Sequence, residues 1–183
     1  MARSGKRTLR RRSWPILTWS GIALLWLMYP LGVQSSLEHG NRQDVWVVAA
    51  VLSAVTALCR RIGTCRVELL PDELAVHNFL FSHRARRGAV RRASAGGTGG
   101  LVIEVSEGRE IHPFAFGGSV VDAWLKTSPR AAAEIVEWAQ AGRVAAGPED
   151  GQVRRSVRLC WSADLALLCA VVAAVVALVV GGG

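Results

Sequence analysis

Five arginines lie within nine residues near the middle of the chain, and they offer the clearest chemistry in the sequence. A guanidinium group is planar and always charged, and it can hold phosphate or carboxylate oxygens through two parallel hydrogen bonds. The run therefore indicates a site for phosphate groups or other anions. A solvated basic face, or a charge signal that sets membrane topology, explains the same run without a ligand, so both interpretations stay open. The residues are Arg84, Arg86, Arg87, Arg91 and Arg92.

The other residues that could carry chemistry are scattered. The four cysteines (59, 65, 160 and 169) have no C-x-x-C spacing, and no metal-ligand spacing links them with His77, His83 or His112. The glycine-rich stretch 96–100 lacks the G-x-x-x-x-G-K-[ST] pattern and precedes a strand pattern, which indicates a flexible loop. No nucleophile motif with a neighbouring base is found. The sequence accordingly predicts no catalytic residue, no metal and no cofactor.

Three apolar blocks must hold these residues in place. They cover 14–33, 45–60 and 159–180, and a helix needs roughly 20 apolar residues to cross a hydrocarbon core. The second block is short, and the arginines at its end can extend their charges to the membrane surface. The third contains one acid, Asp164, close enough to its start for the carboxylate to reach the headgroup region. We therefore expect three transmembrane helices.

Basic residues flank the blocks unevenly, and this bias predicts the orientation in the membrane. Residues 1–13 carry six basic side chains and no acid, whereas the loop 34–44 has one basic and two acidic side chains. The N-terminus and the region between blocks two and three are expected in the cytoplasm, and loop 34–44 and the C-terminus outside. A cleaved signal peptide is the rival interpretation of the first block. The other flanking arginines are Arg60, Arg61, Arg154, Arg155 and Arg158.

The net charge of +8 comes from these flanks. Residues 64–151 contain ten basic and eleven acidic side chains, so the region between the blocks is close to neutral. Juxtamembrane basic residues attract anionic lipid headgroups, which accounts for the charge without phosphate contacts to DNA or RNA. We expect no nucleic-acid partner.

Residues 64–143 have the pattern of a small α+β domain, followed by a linker at 144–158. Apolar and polar side chains alternate over 65–69, a Pro71–Asp72 turn follows, and an extended pattern resumes over 74–81, which predicts a hairpin. A second hairpin is predicted for 101–114, with its turn at Glu107–Gly108.

A helix is expected after these strands. Ser128 is a good N-cap and Pro129 suits the first helical position, and the helix should run to about Ala141. One stripe of this helix is apolar, which should close the open side of a curved sheet. The stripe is Ala131, Ile135, Trp138 and Ala139.

Three segments carry a resemblance to a known family. Cys65–Asn78 (CRVELLPDELAVHN), Phe114–Trp124 (FAFGGSVVDAW) and the Ala-rich helix with Glu134 and Trp138 together resemble bacterial membrane-anchored pleckstrin-homology (PH) domain proteins. The resemblance implies a small antiparallel barrel or curved sheet capped by a C-terminal helix, with no cofactor and no catalysis. Two features depart from the family pattern. The family often opens its third strand with an apolar-Pro-Trp run, which here reads Ala85-Arg86-Arg87, and a C-terminal span is not usual.

These observations predict a multi-pass protein of the bacterial cell membrane whose cytoplasmic PH-like domain is a non-enzymatic protein-interaction scaffold or regulator. The alternative is an anionic-lipid sensor that uses the run Arg84–Arg92. Membrane lipids and a membrane or cytoplasmic protein are the expected partners. Small residues four apart in the second and third spans allow close helix packing, either between copies in a homo-oligomer or within one chain. They are Ala49, Ser53 and Ala57, and Ala166, Ala170 and Ala174 or Ala173, Ala177 and Gly181.

Overall fold

The computed structural model describes residues 6–10, 13–95, 100–117, 127–141 and 153–182. The glycine-rich loop is outside these residues except for Gly100, as is most of the expected linker. The chain forms two compact units: a helical unit, 12–64 with 159–183, and a sheet domain, 1–11 with 65–158.

The architecture is α+β, as predicted. In the described residues the helices are α1 (Ser13–Glu38), α2 (Arg42–Gly63), α3 (Thr127–Gln140) and α4 (Trp161–Gly181). The strands there are β1 (Arg7–Leu9), β2 (Arg66–Leu69), β3 (Glu73–His77), β4 (Phe81–Arg86), β5 (Val90–Ala95), β6 (Leu101–Val105), β7 (Arg109–Ile111) and β8 (Arg154–Val157).

The helices of the helical unit are long and apolar enough to cross a membrane, which is consistent with a membrane protein. α1 and α2 extend past the apolar blocks into polar sequence, because backbone hydrogen bonding can continue where the side chains become hydrophilic. α1, for example, continues to Glu38, five residues beyond the predicted end.

Small side chains fill the contact between α2 and α4. Ser53 and Ala57 are buried on α2, and Ala170, Ala173 and Ala177 are buried on α4. Small residues let helix backbones approach closely where apolar burial gives no net advantage over lipid. Part of the predicted stripe thus packs within one chain, while Ala174 faces outward.

Asp164 forms an ion pair within the helical unit, near the start of α4. Its carboxylate accepts from Arg61 Nη2 at 2.5 Å and from the backbone N–H of Cys160 at 2.9 Å. The second bond satisfies a free donor at the helix N-terminus. Arg60 donates to Ser162 Oγ at 3.2 Å, so the arginine pair after the second apolar block holds the first turn of α4.

Two antiparallel sheets build the domain. Sheet A has the strand order β1-β2-β3-β4-β8, and sheet B has the order β5-β6-β7. Both predicted hairpins are confirmed: Leu70 N–H donates to Glu73 O at 2.8 Å between β2 and β3, and Gly108 adopts a positive φ of 67° between β6 and β7. Glycine adopts that conformation without a steric penalty.

The extended segment predicted over 74–81 is in fact two strands. β3 ends at His77, and Asn78 begins a turn in which its N–H donates to Phe81 O at 2.9 Å. The Asn78 side chain donates to His112 O at 2.9 Å and accepts from Phe114 N–H at 2.7 Å. This tertiary bridge is not visible in the local pattern.

Two short strands come from segments that the sequence assigned to a tail and a linker. β1 pairs with β2, placing Thr8 opposite Glu68, and β8 pairs with β4, placing Arg154 opposite Arg84. Both strands are short and mostly exposed, so they lack the apolar alternation by which strands are recognised.

The core lies between the sheets and α3. Val67, Leu74 and Val76 of sheet A and Ile103 of sheet B are almost fully buried. The predicted stripe of α3 is confirmed, because all four of its residues are buried. Ser128 differs from its predicted N-cap role, since it is inside the helix and its hydroxyl donates to Phe116 O at 3.3 Å.

Candidate functional site

The predicted arginine run does not form a single loop. Arg84 and Arg86 are on β4, Arg87 begins a single 3-10 turn, and Arg91 and Arg92 are on β5. Because β4 belongs to sheet A and β5 to sheet B, the two ends of the run lie in different sheets.

Arg87 is tied to the backbone of the domain. Its Nε donates to Trp138 O at 2.7 Å, its Nη2 donates to the same oxygen, and its Nη1 donates to Pro71 O at 3.2 Å. The guanidinium carbon also lies 4.9 Å from the centroid of the Trp138 ring, whose Nε1 donates to Leu70 O at 3.0 Å. Arg87 therefore holds α3 against the β2–β3 turn, a structural role that the charge pattern did not reveal.

Arg91 and Arg92 are both exposed because β5 has a bulge between Val90 and Arg92. In a regular strand, adjacent side chains point to opposite faces, and a bulge inserts one extra residue that breaks this alternation. Arg92 lies opposite Glu104, which in turn lies opposite Glu110. Two carboxylates thus share the row of sheet B that contains Arg92.

β8 brings a further arginine next to the run, although the sequence assigns residues 144–158 to a linker. Arg154 lies directly opposite Arg84, and Arg86 is two residues further along the same face of β4. We call Arg84, Arg86 and Arg154 the arginine surface; all three are exposed. Glu73 lies directly opposite Arg86, and its carboxylate is 3.6 Å from Arg84 Nη1.

Arg155 and Arg158 have other surroundings. Arg155 lies opposite His83 on the reverse face, with its guanidinium carbon 3.6 Å from the centroid of the Phe81 ring. Arg158 is only 8% exposed, and its Nη1 donates to Asn78 O at 3.0 Å. Of the three arginines in this segment, Arg154 alone joins the arginine surface.

A buried carboxylate, that of Glu68, lies on the same face of sheet A but nearer to β1. Glu68 is 7% exposed, and three basic side chains contact it: Arg66 Nε at 2.7 Å, Lys6 Nζ at 3.1 Å and His77 Nε2 at 3.7 Å. The register places Glu68, Ala75, Arg84 and Arg154 in one row across sheet A. Because Val67 and Leu69 point inward, strand alternation alone could have placed Glu68 on this face. Its ion pair with Lys6 could not be predicted from the sequence, because β1 was not predicted.

Burial and neighbouring charges shift the pKa values of Glu68 and His77. Burial alone raises the pKa of Glu68, but hydrogen bonds from Arg66 and Lys6 and the nearby positive charges outweigh it and hold the pKa below its usual value. Burial, followed by the charge of Arg66, lowers the pKa of His77 against the opposing attraction of Glu68. Glu68 is therefore charged at neutral pH and already engaged by Arg66 and Lys6.

Chemically, the arginine surface can hold an oxyanion between two strands. Guanidinium groups on neighbouring strands can both donate to one phosphate. Among the described residues, no group of three or more His, Cys, Asp or Glu could hold a metal ion. Comparison with protein-family models, curated proteins and solved structures finds no match to this chain.

Proposed function

We propose that this chain is a non-enzymatic, multi-pass protein of the bacterial cell membrane whose cytoplasmic PH-like domain binds anionic lipid headgroups through Arg84 and Arg154. It would act as a regulator that responds to the lipid composition of the membrane. The binding surface differs from the one that the arginine run alone indicates, because Arg154 replaces Arg86, Arg87, Arg91 and Arg92 as the partner of Arg84.

One observation carries this proposal: Arg84 and Arg154 are direct cross-strand neighbours. Like charges in this position destabilise a sheet by a few tenths of a kcal/mol or more. A phosphate group bound between them removes the repulsion and forms charge-assisted hydrogen bonds to both. Glu73, 3.6 Å from Arg84 Nη1, offsets part of this repulsion, whereas Glu68 is separated from Arg84 by Ala75 and is already contacted by Lys6 and Arg66.

The short connections of the chain support a membrane-surface role. Thr64 and Cys65 alone separate α2 from β2, and residues 158–160 alone separate β8 from α4. If α2 and α4 span the membrane, the domain is tethered at both ends and meets headgroups at a high effective concentration. The basic flanks favour the cytoplasmic side for this domain.

The strand arrangement supports the PH-like interpretation. Strands β2–β4 form one antiparallel unit, β5–β7 form a second, and α3 covers the core between them. This is the curved-sheet-plus-helix arrangement that the resemblance implies. β1 and β8 are additions at the two edges of sheet A.

Lipid binding to the full-length protein in detergent can be measured by native mass spectrometry with added phosphatidylglycerol. We expect the Arg84→Gln/Arg154→Gln variant to retain several-fold less lipid than the unsubstituted chain. The matched control is Arg91→Gln/Arg92→Gln, which removes the same charge from sheet B and should leave binding unchanged. Equal losses in both variants would mean that only net charge matters, and no loss in the first would refute the proposed surface.

The scaffold interpretation remains as a second candidate because of the edge of sheet A. In the part of the chain that the structure describes, β8 pairs with β4 on one side only, and all four of its residues are exposed. An open edge can pair with an extended segment of another protein. A photo-crosslinking amino acid at Ser156 of the full-length protein in cells would give a protein adduct of defined mass in this case, and lipid adducts alone would argue against it.

A further inference from the structure

The exposed large apolar side chains of the domain lie close together. Among the described residues of the sheet domain they are Leu80, Phe114 and Val157, with exposed fractions of 48%, 44% and 73%. Single exposed apolar residues are common on soluble proteins, but a cluster points to a binding surface.

Hydrogen bonds and ring contacts hold these residues in one place. Asn78 bonds to both His112 and Phe114, which joins the β3–β4 turn to the 3-10 turn at Phe114–Phe116. The rings of Phe79 and Phe114 are 6.5 Å apart, and the backbone N–H of Arg158, next to Val157, donates to Leu80 O at 3.0 Å. We call Phe79, Leu80, Phe114 and Val157 the apolar end.

The chain enters and leaves the domain at this same end of sheet A. β2 begins with Arg66 opposite His77, the last residue of β3, and β8 finishes with Val157 opposite Phe81, the first residue of β4. The connections to α2 and α4 therefore start at the apolar end. The opposite end of the sheet holds the exposed turn with Pro71 and Asp72.

Charges around the apolar end suit a lipid surface better than a dry protein interface. Arg155, whose side chain is exposed, lies over Phe81. Phenylalanine and leucine side chains can bury at the boundary between headgroups and acyl chains, and an arginine beside them can direct its charge toward phosphates. Glu110 on β7 has its carboxylate 3.2 Å from His112 Nε2 near this end.

We propose that the apolar end inserts into the headgroup region of the membrane that α2 and α4 cross, with Leu80 and Phe114 as the inserting side chains. The inference rests on the proposed function, because it requires that the helices span the membrane. It goes further by fixing which end of the domain meets the lipid and by adding an apolar contact that does not depend on anionic lipid.

The test places an environment-sensitive fluorescent amino acid at Leu80, at Phe114 or, as control, at Asp72 of the full-length protein in nanodiscs. Lipids brominated near the headgroup quench a fluorophore in the membrane interface, and aqueous iodide quenches one in water. We expect bromolipid quenching several-fold stronger at positions 80 and 114 than at 72, and iodide quenching in the reverse order. The pattern should persist in nanodiscs of phosphatidylcholine alone.

Two outcomes overturn the inference. Iodide access at 80 and 114 equal to that at 72 places the apolar end in water, and protection from both quenchers places it against protein. Loss of phosphatidylglycerol in the Arg84→Gln/Arg154→Gln variant would still support the proposed function in either case. If that variant also retains its lipid, both proposals fail together.

Discussion

Arg84 in sheet A and Arg92 in sheet B are exposed arginines on antiparallel strands, eight positions apart in the sequence, yet their cross-strand neighbours are opposite in charge. Arg84 lies across from Arg154, and Arg92 lies across from Glu104. The same residue type thus has a basic cross-strand neighbour in one sheet, where Glu73 offsets only part of the charge, and an acidic cross-strand neighbour in the other. A ligand that carries negative charge gains more from the first arrangement, so strand pairing selects the candidate surface and the density of arginines in the sequence does not.

Arg87 lies between these two sites and gives the largest expected effect. Arg87→Ala removes the hydrogen bonds to Trp138 O and Pro71 O and the contact with the Trp138 ring. Hydrogen bonds from a charged donor and the carbonyl groups left without it suggest a loss of about 2–3 kcal/mol. Chemical unfolding of the full-length protein in detergent, followed with a probe in the sheet domain, measures this.

Arg91→Ala is the control for that experiment, because its side chain is exposed at the bulge. A surface substitution of this kind should change the free energy of unfolding by less than about 0.5 kcal/mol. Equal effects of the two substitutions would mean that the run acts as one basic segment and that the contacts of Arg87 with Trp138 and Pro71 add nothing to stability.

A second effect concerns Glu68, the buried carboxylate on the same face of sheet A as Arg84. The pKa of Glu68 is lowered in the folded state, so its contribution to stability is present above its ordinary value of 4.5 and is lost as the pH falls through the lower folded value. Glu68→Gln should cost about 1–2 kcal/mol at neutral pH and flatten the stability profile below pH 4.5. Unfolding measured across this pH range tests the prediction.

His77 should act in a separate pH window. Its pKa is also lowered, so folding favours the neutral ring. Its contribution is complete above the ordinary value of 6.5 and declines as the pH falls through the folded value. His77→Asn should remove this decline while leaving the one below pH 4.5 in place. A single transition abolished by either substitution would show instead that the two groups titrate as one unit.

The sequence predicts most of this fold, and the failures have a common cause. Apolar block length predicts α1, α2 and α4, and apolar spacing predicts the buried stripe of α3, because these are local properties. The arginine surface depends on β8, whose residues 154–157 are all exposed and carry no strand pattern. The roles of Arg87 and Glu68 likewise depend on partners far away in the sequence, Trp138 and Lys6.

The smallest expected effect tests the comparison of the two sheets most directly. The same substitution, arginine to glutamate, should change the free energy of unfolding in opposite directions in sheet A and sheet B. Arg154→Glu places a carboxylate opposite Arg84 and should stabilise the domain, whereas Arg92→Glu adds a third acid to the row of Glu104 and Glu110 and should destabilise it. Cross-strand charge pairs suggest changes of about 0.2–1 kcal/mol in each direction.

Both substitutions alter net charge equally, so a general charge effect would move the two variants in the same direction. The difference between the two free energies of unfolding should shrink at high salt, since exposed charges are screened. If both substitutions stabilise the domain, or if neither effect responds to salt, cross-strand neighbours do not set the charge balance of these sheets. An anion bound between Arg84 and Arg154 would then relieve no repulsion.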